Sequence, residues 1–326
     1  ATGSYNTFVG AEAGEGGTSS APYSSGIGNV GIGYRALTAF TTGEANIAVG
    51  QNSLGNVTTG FYNTAVGDHA GVGITTGYSN VAIGRAALYN TTTGLNNTAV
   101  GKGAGTYVVG DDITHIGKEA GKNATGSYNT FVGSEAGKGG TTSAPYSSGT
   151  NNVAIGYQAL LSHTDGASKN TTVGNQAGYG ITTGDYNVLL GNNAGFGITT
   201  GGSNVVIGHQ AMDASSGAAD GMVAIGVEAL STFNGGNVDS SVAVGEYALN
   251  SLTDGVSSVA VGTKALRYTT GDRNTAVGSD AAYNMTTGDD NVAIGYNALG
   301  IAGAASDNVA VGNKAGRLAV KTQFGT

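Results

Sequence analysis

Cysteine and tryptophan are absent from this 326-residue chain, proline occurs twice, and only 10% of the residues are charged. Without cysteine there is no disulfide framework and no thiolate metal site, and no motif calls for a cofactor, so none is expected. Thirteen Lys and Arg against 21 Asp and Glu give a formal charge of −8, with no basic run. A nucleic-acid groove needs clustered cations, so nucleic acid is not an expected partner. No apolar run approaches the ~18–20 residues that span a bilayer, and no charged-then-apolar leader pattern opens the chain, so membrane insertion is not expected. The abundant residue is glycine, with 60 copies and no Gly-X-Y period, which excludes collagen.

The glycines mark a repeat. The stretch Asn63–Gly71 reads NTAVGDHAG, and seventeen residues later comes NVAIGRAAL. Aligned on the glycine after the apolar triplet, eighteen copies run from Gly10 to Gly312, spaced mostly by 17 residues and never by more than 23. The consensus is T-T-G-x-x-N-[TV]-A-[VI]-G-x-x-A-[LG]. A period near 20 residues signals stacked supersecondary units. The triplet alternates a β-branched residue with Ala and again a β-branched residue, which is the period-two pattern of a strand. The glycine then permits a turn. The Ala-Leu or Ala-Gly pair that follows (Ala36-Leu37, Ala70-Gly71) reads as a second short strand, and TTG as the turn that closes the coil.

Stacked in parallel, such coils make an all-β chain: a parallel β-solenoid of about 18 coils forming one continuous domain over 1–326. Gly50, Gly67, Gly84 and Gly101 are expected to stack as a turn ladder, and Asn46, Asn63, Asn80 and Asn97 either as a hydrogen-bonded amide ladder or as simple turn formers. A coil of 17 residues is thin. If the Val and Ile side chains point inward, the central Ala face is left outward and uncharged, and it calls for a cover. The expected cover is a sister chain, in a homotrimer.

The N-x-A-[VI]-G-x-x-A rung resembles the head repeat of YadA-like trimeric autotransporter adhesins. The TTGxxNTAVGxxAL array is also similar to repeats in bacteriophage tail fibres, and the likeness extends over all eighteen copies. That resemblance implies a left-handed β-roll, three chains about one axis, in an extracellular fibre on a virion or a bacterial cell. The longer 17-residue coil is closer to the phage version.

Two longer loops interrupt the period, at 14–28 and 137–151, within blocks that match at all but three positions (Ala1–Gly26 and Ala124–Gly149). Pro22-Tyr23 and Pro145-Tyr146 place a rigid turn beside an aromatic ring, so these four residues are the candidate receptor contacts. His115 replaces the central Ala of its copy and would face the trimer axis, either as a packed polar residue or as one of three imidazoles around a water, an anion or a metal, and no metal site is expected. The pairs Asp111-Asp112 and Asp289-Asp290 lack the ligand count for calcium, and the copies at Met222, Ser241 and Ser258 lose the opening Asn. No catalytic constellation recurs, so no enzyme is expected. The function expected is a structural segment of a trimeric fibre, of tail-fibre type, that contributes to attachment to a cell-surface glycan or protein receptor. A bacterial adhesin head is the alternative. An ice-binding solenoid, suggested by the Thr-Thr pairs, is a lesser one.

Overall fold

The computed structural model describes residues 2–17, 23–140, 146–214, 218–232, 240–252, 257–301 and 303–317. Two compact units divide the chain, Ala1–Ser168 and Lys169–Thr326. The first carries β1 (Thr7–Val9), β2 (Val30–Ile32), β3 (Ile47–Val49), β4 (Thr64–Val66), β5 (Val81–Ile83), β6 (Thr98–Val100), β7 (Thr114–Ile116), β8 (Thr130–Val132) and β9 (Val153–Ile155). The second carries β10 (Thr171–Val173), β11 (Val188–Leu190), β12 (Val205–Ile207), β13 (Val223–Ile225), β14 (Val242–Val244), β15 (Val259–Val261), β16 (Thr275–Val277), β17 (Val292–Ile294) and β18 (Val309–Val311). Within each unit every strand pairs in parallel with the next and in strict register. Ala48, Ala65, Ala82 and Ala99 lie one over another in unit 1, and Ala276, Ala293 and Ala310 do so in unit 2. No helix occurs among the described residues. The architecture is a parallel β-solenoid.

The orientation of the strand is the reverse of the sequence expectation. The central Ala points into the coil's own lumen, where Ala48, Ala65 and Ala99 are fully buried and Ala82 nearly so. The β-branched residues on either side point outward, and Ile32, Val66, Ile83, Ile116 and Ile155 are each 38–40% exposed. Alanine is the choice at the centre because the lumen is narrow there, not because a neighbouring chain crowds it. The expected alanine interface is therefore not available.

The second strand is also replaced. Residues after the turn glycine form consecutive turns: the Gly50 carbonyl accepts from the Ser53 amide (3.3 Å), and Asn52 carries the positive φ (52°) that the third position of a type II turn needs. Leu54 follows at φ 48°, so an extended strand cannot form. The turns still bond from coil to coil, as from the Leu54 amide to the Ala70 carbonyl (3.0 Å). The triplet glycines make the sharpest constraint. Gly33 has φ 129°, and a Cβ there would lie 2.7 Å from the Gly50 carbonyl oxygen. No side chain fits in that stack.

The lumen is filled by a size exchange between the strand centre and the residue after the conserved Ala. Where the centre is Ala the later residue is usually Leu, as Ala48 with Leu54, Ala82 with Leu88 and Ala154 with Leu160. Where the centre is larger the later residue is Gly: Phe8 with Gly14, His115 with Gly121, Phe131 with Gly137, Thr172 with Gly178, Leu189 with Gly195. A Cβ on Gly178 would sit 2.9 Å from Thr172 Cγ2. Where both are small, as Ala65 with Gly71, Leu54 and Ile74 occupy the space. Val206 with Met212 departs from the pattern, both being buried.

Candidate interaction surfaces

The asparagines form an amide ladder in the interior. Asn63 Nδ2 donates to Asn46 Oδ1 (3.1 Å) and to the Gly77 carbonyl (2.9 Å), while its own Oδ1 accepts from the Asn80 amide (3.1 Å) and Asn80 Nδ2 (3.0 Å). These amides tie three segments together and touch no solvent. Where Asn is lost the ladder adapts. Ile113 and Met222 keep only the backbone donation, to Asn97 Oδ1 (3.2 Å) and Asn204 Oδ1 (2.9 Å). Ser241 and Ser258 substitute hydroxyls that accept from the amides of Ser258 and Asn274.

The threonine pairs are likewise engaged. Thr41, Thr58 and Thr75 each donate a hydroxyl to the threonine carbonyl one coil on, at 3.1–3.2 Å. The acidic pairs serve the same purpose. Asp111 Oδ1 accepts from the Leu95 amide (2.8 Å), Asp289 Oδ1 from the Asp272 amide (2.8 Å), and Asp290 takes a two-point contact from Arg273 (2.7 and 2.8 Å). Arg273 holds the Asp290 carboxyl below its usual range. Among the described residues no group of three potential metal ligands converges.

His115 does not face an axis between chains. It lies wholly inside the lumen, stacked on Phe131 with ring centroids 4.8 Å apart, and neither ring nitrogen has a partner. His163 packs against the edge of the same Phe131, its Nδ1 donating to the Leu160 carbonyl at 3.1 Å and its Nε2 without a partner. Burial lowers the pKa of His115 to about 3, with the charge of His163 adding to the effect. Burial also lowers His163 to about 4, against a raising influence from the Leu160 carbonyl. Both imidazoles are neutral at ordinary pH.

Of the candidate receptor contacts, Pro22 and Pro145 lie outside the described residues. Tyr23 is 80% exposed, and Tyr146 sets its ring edge-on against Tyr107 at 5.3 Å.

A second feature escaped the sequence reading. A cleft of ≈ 290 Å³ opens on the flank that follows the triplet glycine, lined by Arg85, Tyr89, Lys102, Tyr107, Glu119 and Lys122 among others. Smaller hollows of ≈ 240 and 250 Å³ adjoin it through Tyr89 and Tyr107. The available signal was charge: Arg85, Lys102 and Lys118 each directly follow a triplet glycine in three consecutive copies.

No known protein-family model matches the chain, and no curated protein is significantly similar to it.

Proposed function

We propose that the chain is a rigid structural segment of an extracellular trimeric fibre, of bacteriophage tail-fibre type, that contributes to host attachment. The observation that carries this reading is the outward face of the strands. In each unit it presents two in-register rows of Thr, Val and Ile, with Leu190 the exception, that carry no charge, and the second row is partly exposed along its length. Burying one such aliphatic side chain fully is worth ~1.5–3 kcal/mol, so covering the exposed part yields about 1 kcal/mol per coil. Summed over nine coils in unit 1 this is the scale of an oligomer contact. The number three comes from the likeness to adhesin heads and tail fibres. The work is mechanical: within each unit every strand is bonded to the next, and the turns and the asparagine ladder, where its Asn is kept, add to that bonding.

Sedimentation of the intact chain tests the reading. We expect a trimer for the native protein and a folded monomer for a Val66→Lys, Ile83→Lys, Val100→Lys variant. A native monomer would overturn the fibre. The outward Thr-x-[Val/Ile] pairs in register (Thr64 with Val66, Thr98 with Val100, Thr114 with Ile116) support ice binding as a second reading. Thermal hysteresis from a monomer would put that reading first. The adhesin head is the rival within the same class, and antibody labelling of virions against cells separates the two.

A further inference from the structure

We propose that the cleft between Arg85 and Lys122 binds an acidic saccharide unit, with the cations taking the carboxylate and the tyrosines the sugar ring. This site rests on the proposed role in attachment and names its ligand class, and it needs no trimer, since the cleft is built within one unit of one chain.

Charge comes first. The triplet glycines are stacked in register, so the residues that follow them are stacked too, at the ~4.8 Å interval of neighbouring strands. In unit 1 that row runs Arg85, Lys102, Lys118, three cations in succession. Like charges facing across a ladder are destabilising, and the fold does not ask for them: the same row in unit 2 holds no Lys or Arg, and Glu246 is its one acid. A protein of charge −8 thus gathers three cations in one row, where Asp68 precedes Arg85 and Glu135 reaches Lys118 at 3.8 Å.

Neutralisation is incomplete at that place. Glu119, the acid in the cleft, is already held by Lys138 (2.9 Å) and Lys122 (3.4 Å). Arg85 reaches Asp68 only at 3.6 Å, and Asp68 is itself engaged by His69 Nδ1 (2.5 Å). Lys102 makes no ion pair among the described residues. A carboxylate entering the cleft would find Lys102 without an ion pair and Arg85 held only by the 3.6 Å contact to Asp68.

Shape and apolar surface complete the case. Tyr89 and Tyr107 line the cleft, and Tyr146 packs edge-on against Tyr107. Tyrosine rings offer a flat apolar face with a polar tip, which suits the C–H face and hydroxyl rim of a pyranose. A volume of ≈ 290 Å³ accepts one such ring, and the adjoining hollows accept its neighbours in a chain.

The test is calorimetric titration of the full chain with tri-galacturonic acid, with the neutral galactose trimer and with inorganic sulfate. We expect tri-galacturonate to bind at least tenfold tighter than either. Arg85→Gln with Lys102→Gln should lose that binding tenfold or more while the thermal midpoint stays level or rises, because a like-charge pair has been removed. Tyr107→Ala should weaken tri-galacturonate without creating sulfate binding, and Lys264→Gln in unit 2 should change nothing. Equal affinity for the acidic and neutral trimers, a fall in the midpoint of the double glutamine variant, or sulfate binding as well as the saccharide would each overturn the proposal. Sedimentation of the same samples reports the trimer separately, so a failure of one reading is distinguishable from a failure of the other.

Discussion

Acid should loosen unit 1, and the two buried histidines set by how much. In the folded chain His115 and His163 have pKa values of about 3 and about 4, against an ordinary 6.5. A group whose unfolded form binds protons more readily makes stability rise with pH, so here stability is lost as pH falls below 6.5 and the loss continues towards 4 and 3. At about pH 5 each unfolded imidazole is almost wholly protonated and each folded one neutral. The difference of about 1.5 pH units amounts to about 2 kcal/mol per histidine and about 4 kcal/mol for both. The carboxylate held by Lys138 adds nothing in this window, because Glu119 contributes stability that is lost only below its ordinary value of 4.5. The sharpest perturbation is His115→Phe. The adjacent coil shows the outcome, since Phe131 occupies the register position of His115 and faces Gly137 as His115 faces Gly121. The change removes two ring nitrogens without partners, so at about pH 7.5 it should stabilise by about 1–3 kcal/mol. It should also halve the loss between about pH 7.5 and 5. Urea unfolding at both pH values, followed by hydrogen exchange at the amides of β6 to β8, reads both effects. An unchanged acid loss in the variant would refute the reasoning, and so would a variant less stable than the native chain at neutral pH.

Two further perturbations probe the lumen and the ladder. Asn63→Ala leaves the Gly77 carbonyl and the Asn80 amide without their partners, and should destabilise by about 2–5 kcal/mol by the same unfolding assay. Asn63→Ser should be milder, because Ser258 already accepts from the Asn274 amide in this position. Gly137→Ala places a methyl against the Phe131 ring at φ 50° and should destabilise by about 2–4 kcal/mol, and Phe131→Ala in the same chain should recover part of that loss of thermal midpoint.

Much of this architecture could be read from the chain. The spacing of the triplet glycines places every strand, and the missing Asn at Met222, Ser241 and Ser258 marks where the ladder changes. The second half of the coil could not be read, because Ala36-Leu37 and Ala87-Leu88 look like strand residues. Nothing in leucine advertises the left-handed conformation that Leu37 and Leu88 adopt (φ 53° and 48°). Tertiary packing overrides propensity there: the buried Leu side chain fills the lumen, and that burial offsets about 1–2 kcal/mol of backbone strain. The cleft was hidden for another reason. Its tyrosines occupy slots that the repeat leaves unconstrained, and only the stacking of coils brings Tyr89, Lys102, Glu119 and Lys122 side by side.

The inversion of the strand has the most instructive cause. Period-two alternation states that two faces differ, and polarity normally says which of them is inside. Here both faces are apolar, so polarity decides nothing, and bulk suggests wrongly that Val and Ile belong within. Covariation inside the repeat decides it. The strand centre exchanges volume with the residue six positions later, Phe131 with Gly137 but Ala154 with Leu160, and side chains trade volume only when they share a space. The outer positions show no such trade: Val66, Val100 and Val132 stay Val whether their coil carries Ala65, Ala99 or Phe131 at its centre. The outer position is thus β-branched in every coil but that of Leu190, indifferent to the lumen beside it and partly exposed, and it is on this row that the proposed contact between chains rests.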